Sequence, residues 1–328
     1  MPDKVDAPGS YLDVYLAPLS LQLERHEVTD LWINRPGELW VETIGGETER
    51  IEAPEITEAQ LWRLARQIAS ISHQAISREH PLLAARLPDG SRVQVVAPPA
   101  TREGMAIAIR KHIAARLSLA DYEDSGAFAE VSVADDGEAT NLASLYEQRS
   151  WGAFLREAVR RRKTIIVSGG TSTGKTTFLN ALLAEVDHVE RLLLIEDTPE
   201  ISLTQPNAIG LVAARSSVGE AQVSSQDLLI AALRMRPDRI ILGELRGTEA
   251  FTFLRAVNTG HPGSMTTIHA DSPAGAIEQL VLLALQSGVQ LSRADILDYI
   301  RQVVDIVVQL GRRGGGRIIT KMYWERRN

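Results

Sequence analysis

The chain of 328 residues contains no cysteine, which excludes disulfides, thiolate catalysis and cysteine-ligated zinc, and agrees with a reducing cytoplasm. Aromatic residues are scarce, at 5%, and the formal net charge is −7. That balance argues against whole-surface nucleic-acid binding, which calls for a cationic surface with interleaved aromatics. No apolar run approaches the ~20 residues that span a bilayer, and Met1-Pro2-Asp3-Lys4-Val5-Asp6 lacks a signal-peptide core. A membrane channel is therefore not expected.

What is present is enough for packed cores, with 44% hydrophobic and 23% charged residues, and the length suggests roughly two domains. Charge is unevenly placed. Asp121 to Glu138 holds seven acidic residues and no basic one, whereas Arg312 to Asn328 holds six basic residues against Glu325 alone. The basic tail reads as a solvated edge hairpin or as a contact for an anionic membrane or partner.

One stretch organises the rest. Gly169-Gly170-Thr171-Ser172-Thr173-Gly174-Lys175-Thr176-Thr177 follows the apolar run Thr164 to Val167 and precedes the helically spaced Phe178 to Leu183. Gly169 to Thr176 fits the phosphate-binding pattern G-x-x-x-x-G-K-[ST] in its strand-loop-helix context. The glycines let amide groups wrap a phosphate closely. Lys175 would reach the terminal phosphates, Thr176 would offer its hydroxyl to Mg²⁺, and the helix beginning near Lys175 would aim its positive end at the anion.

Upstream, residues 11–26 have the pattern of an amphipathic helix bent at Pro18. Two hairpins follow, Asp30 to Glu42 around Arg35-Pro36-Gly37 and Ala85 to Val96 around Pro88-Asp89-Gly90. Between them Thr57 is placed to cap a helix from Glu58 to Ser72, and Met105 to Arg110 alternates as a further strand. This half is α+β. Residues 121–150 read as an acidic interdomain linker, and from Trp151 strands alternate with helices as in a doubly wound α/β sheet.

In open α/β sheets ligands lie at the carboxyl ends of strands. Three apolar strands here end on polar groups: Arg191 to Ile195 at Glu196-Asp197, Arg239 to Gly243 at Glu244, and Ser264 to Ile268 at His269. Phosphoanhydride hydrolysis needs a metal, a group that orients or deprotonates water, and cations for the developing charge. Glu244 is the first candidate to activate water; Glu196 is the alternative, or an outer-shell Mg²⁺ partner beside Thr176. His269 and His261 are further candidates, His261 within turn chemistry.

The succession of the phosphate loop, Ile195-Glu196-Asp197-Thr198-Pro199-Glu200, Gly243-Glu244-Leu245-Arg246-Gly247, and Thr259-Gly260-His261-Pro262-Gly263 through His269-Ala270 resembles the secretion traffic ATPases. With Trp32 to Glu38, Leu87 to Val95 and Ile107 to Lys111, the chain is similar to the hexameric ATPases of type IV secretion systems, the family of the eleventh protein of the VirB operon. The resemblance implies a RecA-like P-loop ATPase domain (151–328) behind a smaller α+β N-terminal domain (1–120), with ATP and Mg²⁺ as cofactors. It implies catalytic roles for Lys175, Glu244, Glu196 and His269, and nucleotide contacts from Arg92 and Arg110 of the N-terminal domain. It also implies a homo-hexamer, other secretion-system components as partners, and a cytoplasmic location with peripheral contact at the inner membrane. No sequence-specific nucleic-acid binding is expected; a nucleic-acid translocase or a pilus ATPase on the same core is the alternative.

Overall fold

The computed structural model describes residues 11–111, 139–214, 220–314 and 316–325. The N-terminal sheet is built from Val28–Ile33 (β1), Gly37–Thr43 (β2), Thr48–Ala53 (β3), Leu82–Arg86 (β4), Arg92–Val96 (β5) and Ala106–Arg110 (β6). All its pairs are antiparallel, in the order β3-β2-β1-β6-β5-β4. Two helices, Tyr11–Leu23 (α1) and Glu58–Ile71 (α2), pack on one face. Thr57 caps α2 in a reciprocal capping box with Gln60, and the expected Leu61, Leu64, Ala65, Ile68 and Ala69 are its buried stripe.

The central strands of this sheet are covered on both faces: β1 buries every residue but Thr29, and β6 every residue but Arg110. Leu31, Ile33, Val41 and Ile107 face α1 and α2. The alternate residues Trp32, Trp40, Ala106 and Ala108 join a core with the second half of the chain. Arg191 crosses that boundary fully buried, its guanidinium 4.5 Å from the Trp32 ring and donating to Asn34 Oδ1 at 2.7 Å and the Met235 carbonyl at 3.1 Å. Burial pulls its pKa down to about 9, so it remains a cation near neutral pH.

The second sheet has seven strands: Ile165–Ser168 (β7), Leu192–Glu196 (β8), Ala208–Val212 (β9), Arg239–Leu242 (β10), Met265–Ile268 (β11), Ile306–Arg313 (β12) and Gly316–Trp324 (β13). Their order is β13-β12-β7-β11-β10-β8-β9, parallel throughout except for β12 against β13. Crossover helices complete the α/β layers: Lys175–Leu183 (α5) after β7, Ser225–Ala232 (α6) before β10, Glu249–Asn258 (α7) after it, and Pro273–Gln286 (α8) and Arg293–Val303 (α9) between β11 and β12. Two further helices, Ala139–Glu147 (α3) and Trp151–Arg160 (α4), precede β7.

Of the stretch read as a linker, residues 121–138 lie outside the described residues, and with them the acidic run. From Ala139 the chain is already α3, whose Leu142 is buried in one cluster with Phe154 and Leu155 of α4. Tyr146 packs edge-on against Phe154, ring centroids 5.3 Å apart, and its hydroxyl donates to the Met322 carbonyl at 3.0 Å. Strands β3 and β9 had no clear sequence signal. β3 is largely exposed, with only Ala53 buried, and β9 is a short edge strand.

Candidate functional site

The register of the parallel strands builds the site. Leu242 of β10 stands opposite Ile195 of β8 and Thr266 of β11, and Ile268 stands opposite Ser168 of β7. The residues that follow therefore emerge side by side at one edge. They line a cavity of about 450 Å³ that includes Thr171 to Thr177, Glu196, Glu244, His269 and Arg317.

The phosphate loop turns into α5 at Gly174, which has φ +90°, a left-handed conformation open to glycine. Lys175 folds back over the loop, its Nζ donating to the carbonyls of Gly169 and Gly170 at 3.1 Å each. Burial lowers its pKa, and the nearby Glu244 opposes that shift. Thr173 Oγ1 donates to the Gly170 carbonyl at 2.9 Å, so the loop holds its own shape. Such preorganisation spares a ligand the cost of ordering it.

A line of charges crosses the strand ends. Asp197 Oδ2 lies 2.8 Å from Arg246 Nη1, Arg246 Nη2 lies 2.5 Å from Glu244 Oε2, and His269 Nε2 lies 2.8 Å from Glu244 Oε1. His269 is in turn within 3.4 Å of Lys175 Nζ. Glu244 is thus joined to three other strand ends and still borders the cavity. Glu196 is placed differently: Oε1 accepts the amides of Glu200 and Ile201 at 3.2 and 3.0 Å, and Oε2 is ion-paired with Arg102 of the N-terminal half. The carboxylate beside the Thr176 hydroxyl is Glu200, at 3.3 Å.

Not every expected residue comes to this edge. His261 sits in the loop entering β11, at the opposite end of that strand from His269, where its Nδ1 donates to the Ala256 carbonyl at 3.0 Å. Arg92 and Arg110 line a separate pocket of about 190 Å³ with Arg86 and Lys111, and Arg110 is bound to Asp30 at 2.9 Å. Sequence reasoning missed Arg102 and Arg317 altogether. Arg317 lies on β13 beside Gly174, where an added Cβ would approach its Cδ to 2.8 Å. Only the pairing of β13 with β12, and of β12 with β7, brings it there. Arg246, Asp197 and Glu200 lay inside the quoted motifs, and their spacing from Glu244 and Glu196 could have marked them.

The sequence matches the model of the type II/IV secretion system protein family over residues 16–314. The chain belongs to this family. Among its relatives, the type IV secretion system protein VirB11 of Bartonella quintana is 38% identical over 327 residues, covering 94% of this chain and 92% of the relative. The type IV secretion system protein PtlH of Bordetella pertussis is 38% identical over 310 residues, with 93% and 91% covered. The crystal structure of the VirB11 ATPase from the Brucella suis type IV secretion system, in complex with sulphate, is similar with a TM-score of 0.90 and 36% identity, over 96% of this chain and 94% of that one. A likeness over nearly the whole length means that this type II/IV secretion family member shares both sheets with that ATPase.

Within this family member His261 gives a pH expectation. Burial is the main cause holding its pKa below the ordinary histidine range, partly opposed by the bond to Ala256. The unfolded chain then binds the proton first as pH falls. The neutral ring's contribution is full above the unfolded value and is lost as pH drops through the folded one. His261→Gln should flatten the fall in melting temperature between about pH 7 and pH 5; an unchanged slope would assign that fall to other groups.

Proposed function

We propose that this secretion-system ATPase is the Mg-ATP-driven motor of a type IV secretion system, working as a homo-hexameric ring that couples turnover to pilus biogenesis or substrate translocation. The observation that carries the reading is the convergence of Lys175, Glu244 and His269 beside a phosphate loop at one sheet edge. Lys175 and the loop amides bind the phosphates. Glu244, with one oxygen toward Arg246 and the other toward His269, orients and deprotonates water. Arg317, lying on Gly174, adds a cation at the mouth.

Among the described residues no cluster of three or more His, Cys, Asp or Glu could hold a metal by itself. That fits Mg²⁺, which takes one or two protein ligands and completes its shell with phosphate oxygens and water. Thr176 would supply the hydroxyl, with Glu200 and Glu196 outside it. The bound ion would neutralise charge building up on the phosphates.

Arg92 and Arg110 belong in this reading to a neighbour's site. Their pocket gathers four cations, Arg86, Arg92, Arg110 and Lys111, with Asp30 as the paired acid. Such a cluster is costly to leave unopposed and suits the terminal phosphate held by an adjacent copy. Among the described residues no helix is long and apolar enough to cross a membrane. In this reading the contact with the inner membrane is peripheral and is made beside other components of the secretion system.

The test is the mass of the full chain in solution. Mg-ATP should stabilise a six-fold ring, and Arg92→Gln with Arg110→Gln should weaken both the ring and turnover. A strict monomer that hydrolyses ATP at full rate would sink the ring, and strong stimulation by single-stranded DNA would favour a translocase instead.

A further inference from the structure

The loop joining β5 to β6, residues 97–105, leaves the N-terminal sheet and lies along β9, the edge strand of the second sheet. Thr101 forms an antiparallel bridge with Leu211, the Arg102 amide donates to the Gly210 carbonyl at 3.0 Å, and the Val212 amide donates to the Ala100 carbonyl at 2.9 Å. These bonds occupy backbone groups that an open sheet edge leaves without partners. The loop is also tied to its own sheet. The Met105 amide donates to the Glu58 carboxylate at the start of α2, at 3.0 Å, and Thr101 Oγ1 donates to the Gly104 carbonyl at 2.5 Å. Arg102 therefore projects from a segment held on both sides.

The Arg102 side chain passes directly over Gly210, where a Cβ would collide with it. Glycine in a strand marks such a close approach. Beyond Gly210, Nη1 donates to the Ile201 carbonyl at 2.9 Å and Nη2 is ion-paired with Glu196. Glu196 is buried at the end of β8 and also accepts the amides of Glu200 and Ile201. One carboxylate thus fastens the strand end, the turn 197–201 and the N-terminal sheet. That turn carries Asp197, which holds Arg246, and Glu200, which meets Thr176.

We propose that Arg102 is a positioning residue for the nucleotide pocket, acting through Glu196 to hold the 197–201 turn where Asp197 and Glu200 meet Arg246 and Thr176. The proposal rests on the reading of this pocket as the ATP site. A guanidinium and two amides leave a buried carboxylate a single pose, since charge-assisted bonds are short and directional. A wall displaced by about 1 Å can cost on the order of 10²-fold in rate. It follows that the N-terminal sheet has a lever on the pocket of its own chain, separate from any cation it offers to a neighbour.

The alternative role for Arg102 is cement between the two sheets, exerted through Ile201 and packing alone. A double-mutant cycle of Arg102→Gln and Glu196→Gln on the full chain separates the two. Arg102→Gln alone should lower kcat about tenfold and weaken nucleotide binding about threefold, and should change kcat by less than about twofold, with little further loss of affinity, in the Glu196→Gln background. Arg102→Lys, which keeps the charge, should recover part of the loss. The affinity for a fluorescent ADP analogue, measured on the same four proteins, should show the same non-additivity. Equal losses in both backgrounds, in rate and in affinity, would overturn the proposal. A wild-type chain that binds the analogue but does not hydrolyse ATP would instead sink the functional reading, and the affinity cycle would still decide the role of Arg102.

Discussion

Glu244→Gln should abolish turnover while leaving nucleotide bound. The substitution keeps the shape and, through its one amide oxygen, can keep the bond from Arg246 at 2.5 Å, but removes the group able to accept a proton from water. General-base contributions run to about 10²–10⁴-fold, so kcat should fall within that range. Binding should change in the other direction. Glu244 stands close enough to Lys175 to shift its pKa, and it opposes any phosphate brought to that lysine. Neutralising it lifts the repulsion, so ATP affinity should hold or tighten. Single-turnover hydrolysis and equilibrium binding, measured on one preparation, separate the two effects. Turnover near the wild-type rate would remove Glu244 from the role of base. Glu196 would inherit that role poorly, because its side chain is 4% exposed against 16% for Glu244 and is turned toward two amides and Arg102.

The contrast between those two glutamates marks how far the sequence could be read. Both end apolar strands near a phosphate loop, and nothing local distinguishes them. What separates them is a loop from the other half of the chain: Arg102 reaches Glu196 only because residues 97–105 lie on β9. The same limit applies to Arg317, which arrives over Gly174 through two successive strand pairings. Periodicity and turn chemistry report local preference, and neither carries information on which distant segment will lie across a strand edge.

Where the determinants are local, the reading was close. The α2 cap and buried stripe, the hairpin around Arg35-Pro36-Gly37, and the strand-loop-helix around Lys175 are decided by residues within a few positions of each other. His261 shows the complementary case. Both histidines are candidates in the sequence, His261 within turn chemistry and His269 at a strand end, but the loop entering a parallel strand lies at the opposite edge from the loop leaving it, so of the two only His269 borders the cavity. The direction of the strand, available from the order of the motif, would have separated the two histidines.

The largest stability effect is expected at the base of the site rather than in it. Arg239, at the amino end of the strand that leads to Glu244, is 1% exposed and grips Glu190, which is 7% exposed, with Nε and Nη2 each 2.7 Å from a carboxylate oxygen. The same guanidinium donates to the Val159 carbonyl at 2.8 Å and the Gly263 carbonyl at 3.3 Å. It thereby joins α4, β10 and the entrance to β11. Arg239→Met removes the cation and strands a buried carboxylate. Arg162 approaches Glu190 at 3.3 Å but is itself largely exposed, so it is too well solvated to replace the lost partner. Breaking one side of a buried pair costs roughly 3–5 kcal/mol, which for a domain of this size lowers the melting temperature by roughly 10 °C. Removing both charges, with Arg239→Met and Glu190→Leu together, should restore much of that loss, because the uncompensated carboxylate is the main penalty and not the absence of attraction. Calorimetry of the single and double variants decides the point. If the double variant melts as low as Arg239→Met alone, the bonds to Val159 and Gly263, rather than the ion pair, are what hold this corner of the sheet.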